Sequence, residues 1–126
     1  MSVLVVDYNR GTRNALELWL ARLGFHSILC QDAEEGLRRI GESMRGGEPV
    51  ELVLTDQVLP GQSGLELILN CRRLFPKLKA VLISAYQDEG LRRQARQLPN
   101  CRFLAKPFTP EDLRRTFEEL EQADAS

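Results

Sequence analysis

The stretch Leu52-Val53-Leu54-Thr55-Asp56 decides the fold of this 126-residue chain. The stretch is mostly apolar and ends in a carboxylate, and Gln57-Val58-Leu59-Pro60-Gly61 then breaks the run at once. A short apolar run bounded by turn residues predicts a strand that is buried on both faces. Asp56 would then lie at the carboxyl end of that strand, on the edge where open α/β sheets bind ligands. Taken alone, Asp56 is equally compatible with the cap of a turn.

The composition is that of an ordinary globular domain, with 43% hydrophobic residues, 28% charged residues and a formal net charge of -1. The length fits one domain with one substantial core. Near-neutral charge without a long run of one sign gives no support to a nucleic-acid or membrane-surface role. No apolar run is long enough to span a bilayer, and no signal peptide precedes Val3. We therefore expect a cytoplasmic protein.

The chain has three cysteines and one histidine that could take part in catalysis or metal binding. Cys30, Cys71 and Cys101 are far apart and lack metal-ligand spacing, so they predict buried free thiols in a reducing compartment. His26 is the only histidine and falls in a predicted strand, where we expect it to pack. A cysteine nucleophile would need that histidine as its base, so cysteine catalysis is disfavoured.

Strands and helices alternate along the whole chain. Apolar runs predict strands at residues 3–7, 25–30, 51–55, 79–83 and 102–105. Four of the five helices begin with a side chain that favours the N-cap position, namely Asn9, Asp32, Ser63 and Thr109. The fourth helix, at residues 87–98, has a weaker apolar pattern and several arginines. Alternation of this kind predicts a parallel sheet with helices on both faces.

Polar side chains end four of the five predicted strands: Asp7, Asp56, Ser84 and Lys106. Each has a simple structural explanation as a cap, a turn hydroxyl or a solvated charge. The carboxyl ends of parallel strands lie on one edge of the sheet, so the four side chains can converge there. Four such residues at four strand ends favour a functional site over four separate coincidences.

These residue types suit phosphoryl transfer. An aspartate such as Asp56 can attack a phosphoryl group and form an acyl phosphate. Magnesium (Mg²⁺) is held by one or two carboxylates together with waters and phosphate oxygens, which fits Asp7 and Asp56. The Lys106 ammonium and the Ser84 hydroxyl can each bind a phosphoryl oxygen.

The chain resembles the receiver domain of bacterial two-component response regulators from about residue 3 to residue 120. The motifs that carry the resemblance are Val-Asp at 6–7, Thr-Asp at 55–56, Leu-Pro-Gly at 59–61, Ser-Ala at 84–85 and Lys-Pro-Phe at 106–108. The resemblance implies a flavodoxin-like (βα)5 three-layer sandwich with a parallel five-stranded sheet in the order 2-1-3-4-5. It also implies a receiver domain over residues 1–122. We expect residues 123–126 to be a tail or the start of a linker.

The resemblance further implies that Asp56 is phosphorylated by a histidine kinase or phosphotransfer protein. Lys106 and Ser84 would bind the phosphate, and the Val58 carbonyl would join Asp7 and Asp56 as a Mg²⁺ ligand. Ser84 and Phe103 would form a switch that remodels the face of helix 4, strand 5 and helix 5. That face would act on an output domain or effector protein, with homodimerisation left open and no direct contact with nucleic acid or membrane.

One position departs from the family pattern: two adjacent acids usually follow the first strand, and here the pair is Asp7-Tyr8. The missing acid is normally a Mg²⁺ ligand, and the nearby Asn9 offers only a neutral amide oxygen as a substitute. Our hypothesis is that Mg²⁺ binding and phosphorylation are weakened or lost. In the second case the chain would be a pseudo-receiver that acts by protein binding without phosphorylation.

Other functions fit the sequence less well. A small phosphatase with Asp56 as nucleophile would need a general acid close by, often two residues on, where this chain has Val58. A flavin-binding protein of similar fold would need a phosphate-cradling loop after the first strand, and none is present. The arginines at 92, 93 and 96 are more simply a solvated helix face than a partner-binding patch.

Overall fold

The computed structural model describes residues 2–85 and 88–125, which form five strands and five helices in alternation. The strands are β1 (Ser2–Val6), β2 (His26–Cys30), β3 (Val50–Asp56), β4 (Lys79–Ala85) and β5 (Cys101–Lys106). The helices are α1 (Arg10–Arg22), α2 (Ala33–Arg45), α3 (Gly64–Leu74), α4 (Glu89–Gln97) and α5 (Pro110–Ala125). All neighbouring strands are parallel in the order β2-β1-β3-β4-β5, which confirms the predicted topology.

Alternating residues of the strands enter two separate cores, one on each face of the sheet. Leu4 and Val6 of β1 belong to the core beneath α2, α3 and α4. Val3 and Val5 of the same strand belong to the core beneath α1 and α5. Both faces of the central strands are therefore apolar, because side chains alternate across a strand and helices cover both sides. The three-layer sandwich is confirmed.

The predicted helix starts are confirmed by their capping hydrogen bonds. The side chains of Asn9, Asp32 and Ser63 each accept a hydrogen bond from a backbone N–H in the first turn of the following helix. At α5 the Asp112 N–H donates to Thr109 Oγ1 over 3.1 Å, and the Thr109 N–H donates to Asp112 Oδ2 over 2.9 Å. These caps fix where each helix leaves the edge of the sheet.

Some local predictions were wrong. His26 does not pack: it lies on the edge strand β2, its side chain is 62% exposed, and its Nδ1 is 3.8 Å from a Glu48 carboxylate oxygen. The apolar pattern of α3 predicts Leu65, Ile68 and Leu69 on its inner face. Ile68 is buried and Leu65 is partly buried, but Leu69 is exposed and Leu67 is fully buried in its place. The residues of α3 that are buried are Gly64, Leu67, Ile68 and Cys71, which lie on one face of the helix.

Other expectations are confirmed or extended. All three cysteines are buried free thiols. The predicted start of the fourth helix at residue 87 lies outside the described residues, and α4 runs from Glu89 to Gln97 with Asp88 as its cap. Helix α5 continues to Ala125, into the stretch expected to be a tail. No helix within residues 2–85 and 88–125 has both the length and the apolar character needed to cross a membrane.

Candidate functional site

The carboxyl edge of the sheet brings the predicted site residues together. Lys106, at the end of β5, donates from Nζ to Oδ2 of Asp56, at the end of β3, over 2.9 Å. Ser84, near the end of β4, is buried and lines the same cleft, which has a volume of about 890 Å³. Asp7 follows β1 directly and is 2% exposed. The strand order places β1, β3, β4 and β5 side by side, so the juxtaposition follows from the topology.

Asp7 has one satisfied carboxylate oxygen and one that lacks a partner. Its Oδ1 accepts a hydrogen bond from the Asn9 N–H over 2.8 Å, whereas Oδ2 is buried without a hydrogen-bond partner. Burial raises the pKa of Asp7 above its ordinary value, and the negative charge of Asp56 adds to this. The Asn9 N–H, Lys106 and Arg13 act in the opposite direction on the same pKa. A buried carboxylate oxygen without a partner is an open coordination position for a cation.

The loop between β1 and α1 is held by Arg13 and Asn9. Arg13 Nη1 donates to the carbonyl oxygens of Asp7 over 2.7 Å and Tyr8 over 3.0 Å. Asn9 Oδ1 accepts hydrogen bonds from Thr12 N over 2.9 Å and Thr12 Oγ1 over 3.3 Å. The Asn9 amide oxygen is thus engaged in capping α1, so it does not stand free to replace the missing acid. Tyr8 is 66% exposed.

The loop between β3 and α3 is built on Gln57 and Gly64, two residues that the sequence analysis did not single out. The Gln57 N–H donates to Ile83 O over 2.8 Å, and Gln57 Oε1 accepts from the Leu65 N–H over 2.9 Å. At Gly64 an added Cβ would lie 2.2 Å from the carbonyl oxygen of Asp56. A glycine directly after the Ser63 cap was the available signal, since such close approach requires a residue without a side chain.

Val58 and Phe103 occupy different surroundings. Val58 is 78% exposed beside the cleft, and its N–H lies 3.4 Å from Asp56 Oδ1. Phe103 pairs with Leu82 across β5 and β4 and packs against the core beneath α2, α3 and α4. Phe103 does not line the cleft that holds Asp56, Ser84 and Lys106. The structure therefore groups the phosphoryl-binding candidates and leaves the candidate switch aromatic on the α4 side of β5.

The oxygen atoms at this site are of the type that binds Mg²⁺. Asp7 and Asp56 supply two carboxylates, and the partnerless Oδ2 of Asp7 is the observation that fits a bound cation. Within the described part of the chain, no group of three or more His, Cys, Asp or Glu residues is placed to hold a metal ion. Mg²⁺ commonly uses only one or two carboxylates, with waters and phosphate oxygens completing its shell. The residues present therefore fit Mg²⁺ with fewer acidic ligands than the family pattern supplies.

Solved structures share this architecture. A response regulator receiver domain protein from Clostridium thermocellum superposes with a TM-score of 0.85 at 19% identity, covering 98% of this chain and 96% of that one. A CheY-like receiver domain protein from Methanospirillum hungatei gives a TM-score of 0.81 at 24% identity, covering 98% of this chain and 96% of that one. At these identities the similarity establishes the flavodoxin-like fold alone.

Sequence relatives fall into two groups by length. The transcriptional activator protein ExaE of Pseudomonas putida is 34% identical over 113 residues, which are 87% of this chain and 50% of ExaE. The transcriptional regulatory protein AruR of Pseudomonas aeruginosa is 32% identical over 88% of this chain and 45% of AruR. This chain thus spans half or less of those relatives. The response regulator receiver protein CpdR of Brucella abortus is 26% identical over 94% of both chains.

The family itself follows from a match over most of the sequence. The sequence profile described as the response regulator receiver domain matches residues 3–118. This match covers all five strands apart from Ser2, and the greater part of α5. The strand order, the grouped site residues and the relatives agree with this match. The chain therefore belongs to the response regulator receiver domain family.

Proposed function

We propose that the chain is a phosphoacceptor signalling domain of a two-component system, phosphorylated on Asp56. The receiver family is a family of signalling domains, generally not of enzymes. The observation that carries the proposal is the 2.9 Å contact between Lys106 Nζ and Asp56 Oδ2, with Ser84 in the same cleft. A nucleophile, a cation and a hydroxyl that meet in one cleft are the groups that phosphoryl transfer to a carboxylate requires.

The donor in this proposal is a histidine kinase or a phosphotransfer protein. An Asp56 oxygen attacks phosphorus, the bond between phosphorus and the donor's imidazole nitrogen breaks, and an acyl phosphate forms. Lys106 then pairs with a phosphoryl oxygen in place of the carboxylate, and the Ser84 hydroxyl donates to another. Both side chains are already at the edge of the sheet, so they can stabilise the negative charge of the transferred group without a large rearrangement.

Mg²⁺ is the cofactor that the donor set supports. Asp7, Asp56 and the Val58 carbonyl would hold the ion, which when bound would neutralise charge on the phosphoryl oxygens. Tyr8 stands where the family usually has a further acid, and the Asn9 oxygen is engaged in the α1 cap. Fewer carboxylates around the ion mean weaker attraction, so we propose that Mg²⁺ binds this chain more weakly than it binds a site with three acids.

The readout of phosphorylation would be the surface formed by α4, β5 and α5. Ser84 on β4 and Phe103 on β5 would be the switch, since the hydroxyl can move toward a phosphate and vacate space beside the ring. Half or more of each of the first two relatives lies outside the matched region. We propose that this surface acts on an output domain or effector protein in the cytoplasm.

A pseudo-receiver that binds a partner without phosphorylation is the second candidate. It is favoured by two observations on the β1–α1 loop: Tyr8 is exposed, and Asn9 has no free oxygen to offer a metal. The retained Asp56–Lys106 contact favours the phosphoacceptor.

The two candidates are separated by incubating the chain with acetyl phosphate and Mg²⁺ and measuring its intact mass. We expect the gain of one phosphoryl group in the wild type and none in Asp56→Asn. Glu34→Gln, which removes an exposed carboxylate on α2, is the matched control and should be phosphorylated like the wild type. No gain in the wild type at any Mg²⁺ concentration would contradict the phosphoacceptor and leave the pseudo-receiver.

A further inference from the structure

The cleft at the proposed phosphorylation site is much larger than a phosphoryl group needs. Asp56, Ser84 and Lys106 are among the residues that line its volume of about 890 Å³. Much of the remaining lining is apolar and comes from α1 and the segment that follows β5, namely Ala15, Leu16, Trp19, Pro107 and Phe108. The polar side chains of Asn9 and Thr12 also contribute to it. A mostly apolar cleft with a few convergent polar groups is typical of a site for a small ligand.

The side of the cleft that α1 forms has small side chains. Gly11 and Ala15 are four residues apart and so lie on one face of the helix. Trp19 follows four residues later on the same face and contacts Phe108 edge to face, with ring centroids 6.0 Å apart. We call the part of the cleft between the small residues Gly11 and Ala15 and the aromatic pair of Trp19 and Phe108 the slot.

We propose that this slot is an acyl-group subsite, which makes the chain prefer small acyl phosphates with an aromatic or bulky apolar acyl group over acetyl phosphate. This inference rests on the proposed function, because it concerns the donor used at Asp56. The lining matches the class of ligand: Lys106 and Ser84 can bind the anionic phosphoryl group, and Trp19 and Phe108 can contact an apolar acyl group.

The reaction is balanced for a donor such as benzoyl phosphate. An Asp56 oxygen forms the new bond to phosphorus while the bond from phosphorus to the acyl oxygen breaks. Benzoate leaves with that electron pair, so no oxidant, reductant or further reactant is consumed. The apolar contacts are made to the acyl group both before and during transfer, so they lower KM and have little effect on kcat.

The test compares benzoyl phosphate with acetyl phosphate as donors to the intact chain in saturating Mg²⁺, with phosphorylation followed by mass. Burial of a phenyl ring in place of a methyl group should give a KM for benzoyl phosphate lower by roughly tenfold or more. In Ala15→Leu the larger side chain fills the slot, so the KM ratio should fall toward one. Leu18→Ala, which alters an exposed α1 residue outside the cleft, should keep the wild-type ratio.

A second measurement uses benzoylphosphonate, which cannot transfer its phosphorus group, with fluorescence of Trp19 as the signal. We expect saturable quenching in the wild type and in Leu18→Ala, and weaker binding in Ala15→Leu. Equal KM values for the two donors in the wild type, or a ratio that Ala15→Leu leaves unchanged, would overturn the acyl subsite while the proposed function stands. If neither donor phosphorylates the wild type, the proposed function fails and the donor preference is overturned with it.

Discussion

The guanidinium carbon of Arg92 on α4 lies 4.9 Å from the ring centroid of Phe103 on β5. The Arg92 side chain is only 30% exposed, and its Nε is buried without a hydrogen-bond partner, 4.0 Å from a Glu89 carboxylate oxygen. Only Leu91 and Ala95 of α4 are buried. The attachment of α4 to the sheet therefore depends in part on an arginine that covers the proposed switch aromatic, and not on a solvated arginine face throughout.

We predict that Arg92→Ala loosens α4. A partly desolvated cation over an aromatic face contributes about 1 kcal/mol, so the free energy of unfolding should fall by about that amount. Amide hydrogen exchange in α4 should become faster while exchange in β3 is unchanged. Arg93→Ala, one residue along on the exposed side of the helix, should leave both quantities as they are.

Arg92→Met keeps an apolar stem over the ring and removes the charge. If the cation is responsible, Arg92→Met should lose nearly as much stability as Arg92→Ala. Full stability of the methionine variant would show instead that packing of the stem is what holds α4.

Sequence alone predicted the sheet order through the resemblance, and predicted the site through four strand ends. It did so because the central strands are buried on both faces and read as apolar runs, each stopping at a polar residue. The role of the arginines on α4 could not be predicted from the sequence. Arg92 and Arg93 are neighbours in sequence, and only the three-dimensional position of β5 distinguishes the arginine over Phe103 from the exposed one. His26 was misplaced for a similar reason, because an edge strand was not distinguished from a central one.

Gly64 is predicted to be essential for the approach of α3 to the site. A Cβ at this position would lie 2.2 Å from Asp56 O and 2.9 Å from Asp56 C, both backbone atoms that cannot move without displacing the end of β3. We expect Gly64→Ala to lower the free energy of unfolding by about 3 kcal/mol or more, as measured by urea denaturation. The same variant should lose phosphorylation more than stability loss explains, because Asp56 itself is shifted.

The matched control is Gly41→Ala in the middle of α2. A Cβ there meets only the tip of the flexible Arg45 side chain, at 3.3 Å. Alanine favours a helix interior over glycine by about 1 kcal/mol, so this variant should be as stable as the wild type or more stable. Similar losses in both variants would argue against the steric explanation at Gly64.

Tyr8→Asp is predicted to tighten Mg²⁺ binding. The substitution restores a second acid beside Asp7 and adds a negative charge next to a carboxylate oxygen that now lacks a partner. More ligand charge raises the affinity for a hard divalent cation, here by roughly tenfold. A Mg²⁺ titration followed by Trp19 fluorescence measures the change. Tyr8→Phe, which adds no charge, should bind like the wild type, and an Asp variant no tighter than Tyr8→Phe would refute the assigned role of Tyr8.

The sequence shows that the proposed Mg²⁺ site lacks an acid, but it does not show whether another residue compensates. The residue pair Asp7-Tyr8 shows that an acid is missing. Whether Asn9 compensates depends on the direction of its side chain, which the α1 cap determines. A capping pattern in the sequence indicated that asparagine would begin the helix, yet the same oxygen was also considered as a ligand. The structure shows that one oxygen accepts from both Thr12 donors and is therefore already used.

The last prediction concerns alkaline pH and Cys71, a fully buried thiol on α3. Burial raises the pKa of Cys71 from its ordinary value of 9.0 to about 11. Below pH 9 the thiol is protonated in the folded and unfolded chains, and its contribution to stability is fully present. Between pH 9 and about 11 the unfolded chain releases this proton while the folded chain retains it, so the free energy of unfolding falls as pH rises.

We therefore expect the wild type to lose roughly 1 to 2 kcal/mol more stability than Cys71→Ala between pH 8.5 and pH 10.5, at about 1.4 kcal/mol per pH unit per thiol. Urea denaturation at a series of pH values measures the difference. Burial also raises the pKa values of Cys30 and Cys101, so Cys71→Ala should still lose some stability, with a shallower slope than the wild type. Parallel stability curves for the two proteins would mean that the Cys71 thiol titrates alike in the folded and unfolded chains. Reaction with a thiol reagent at pH 8 gives an independent check, because three buried protonated thiols should react only after urea is added.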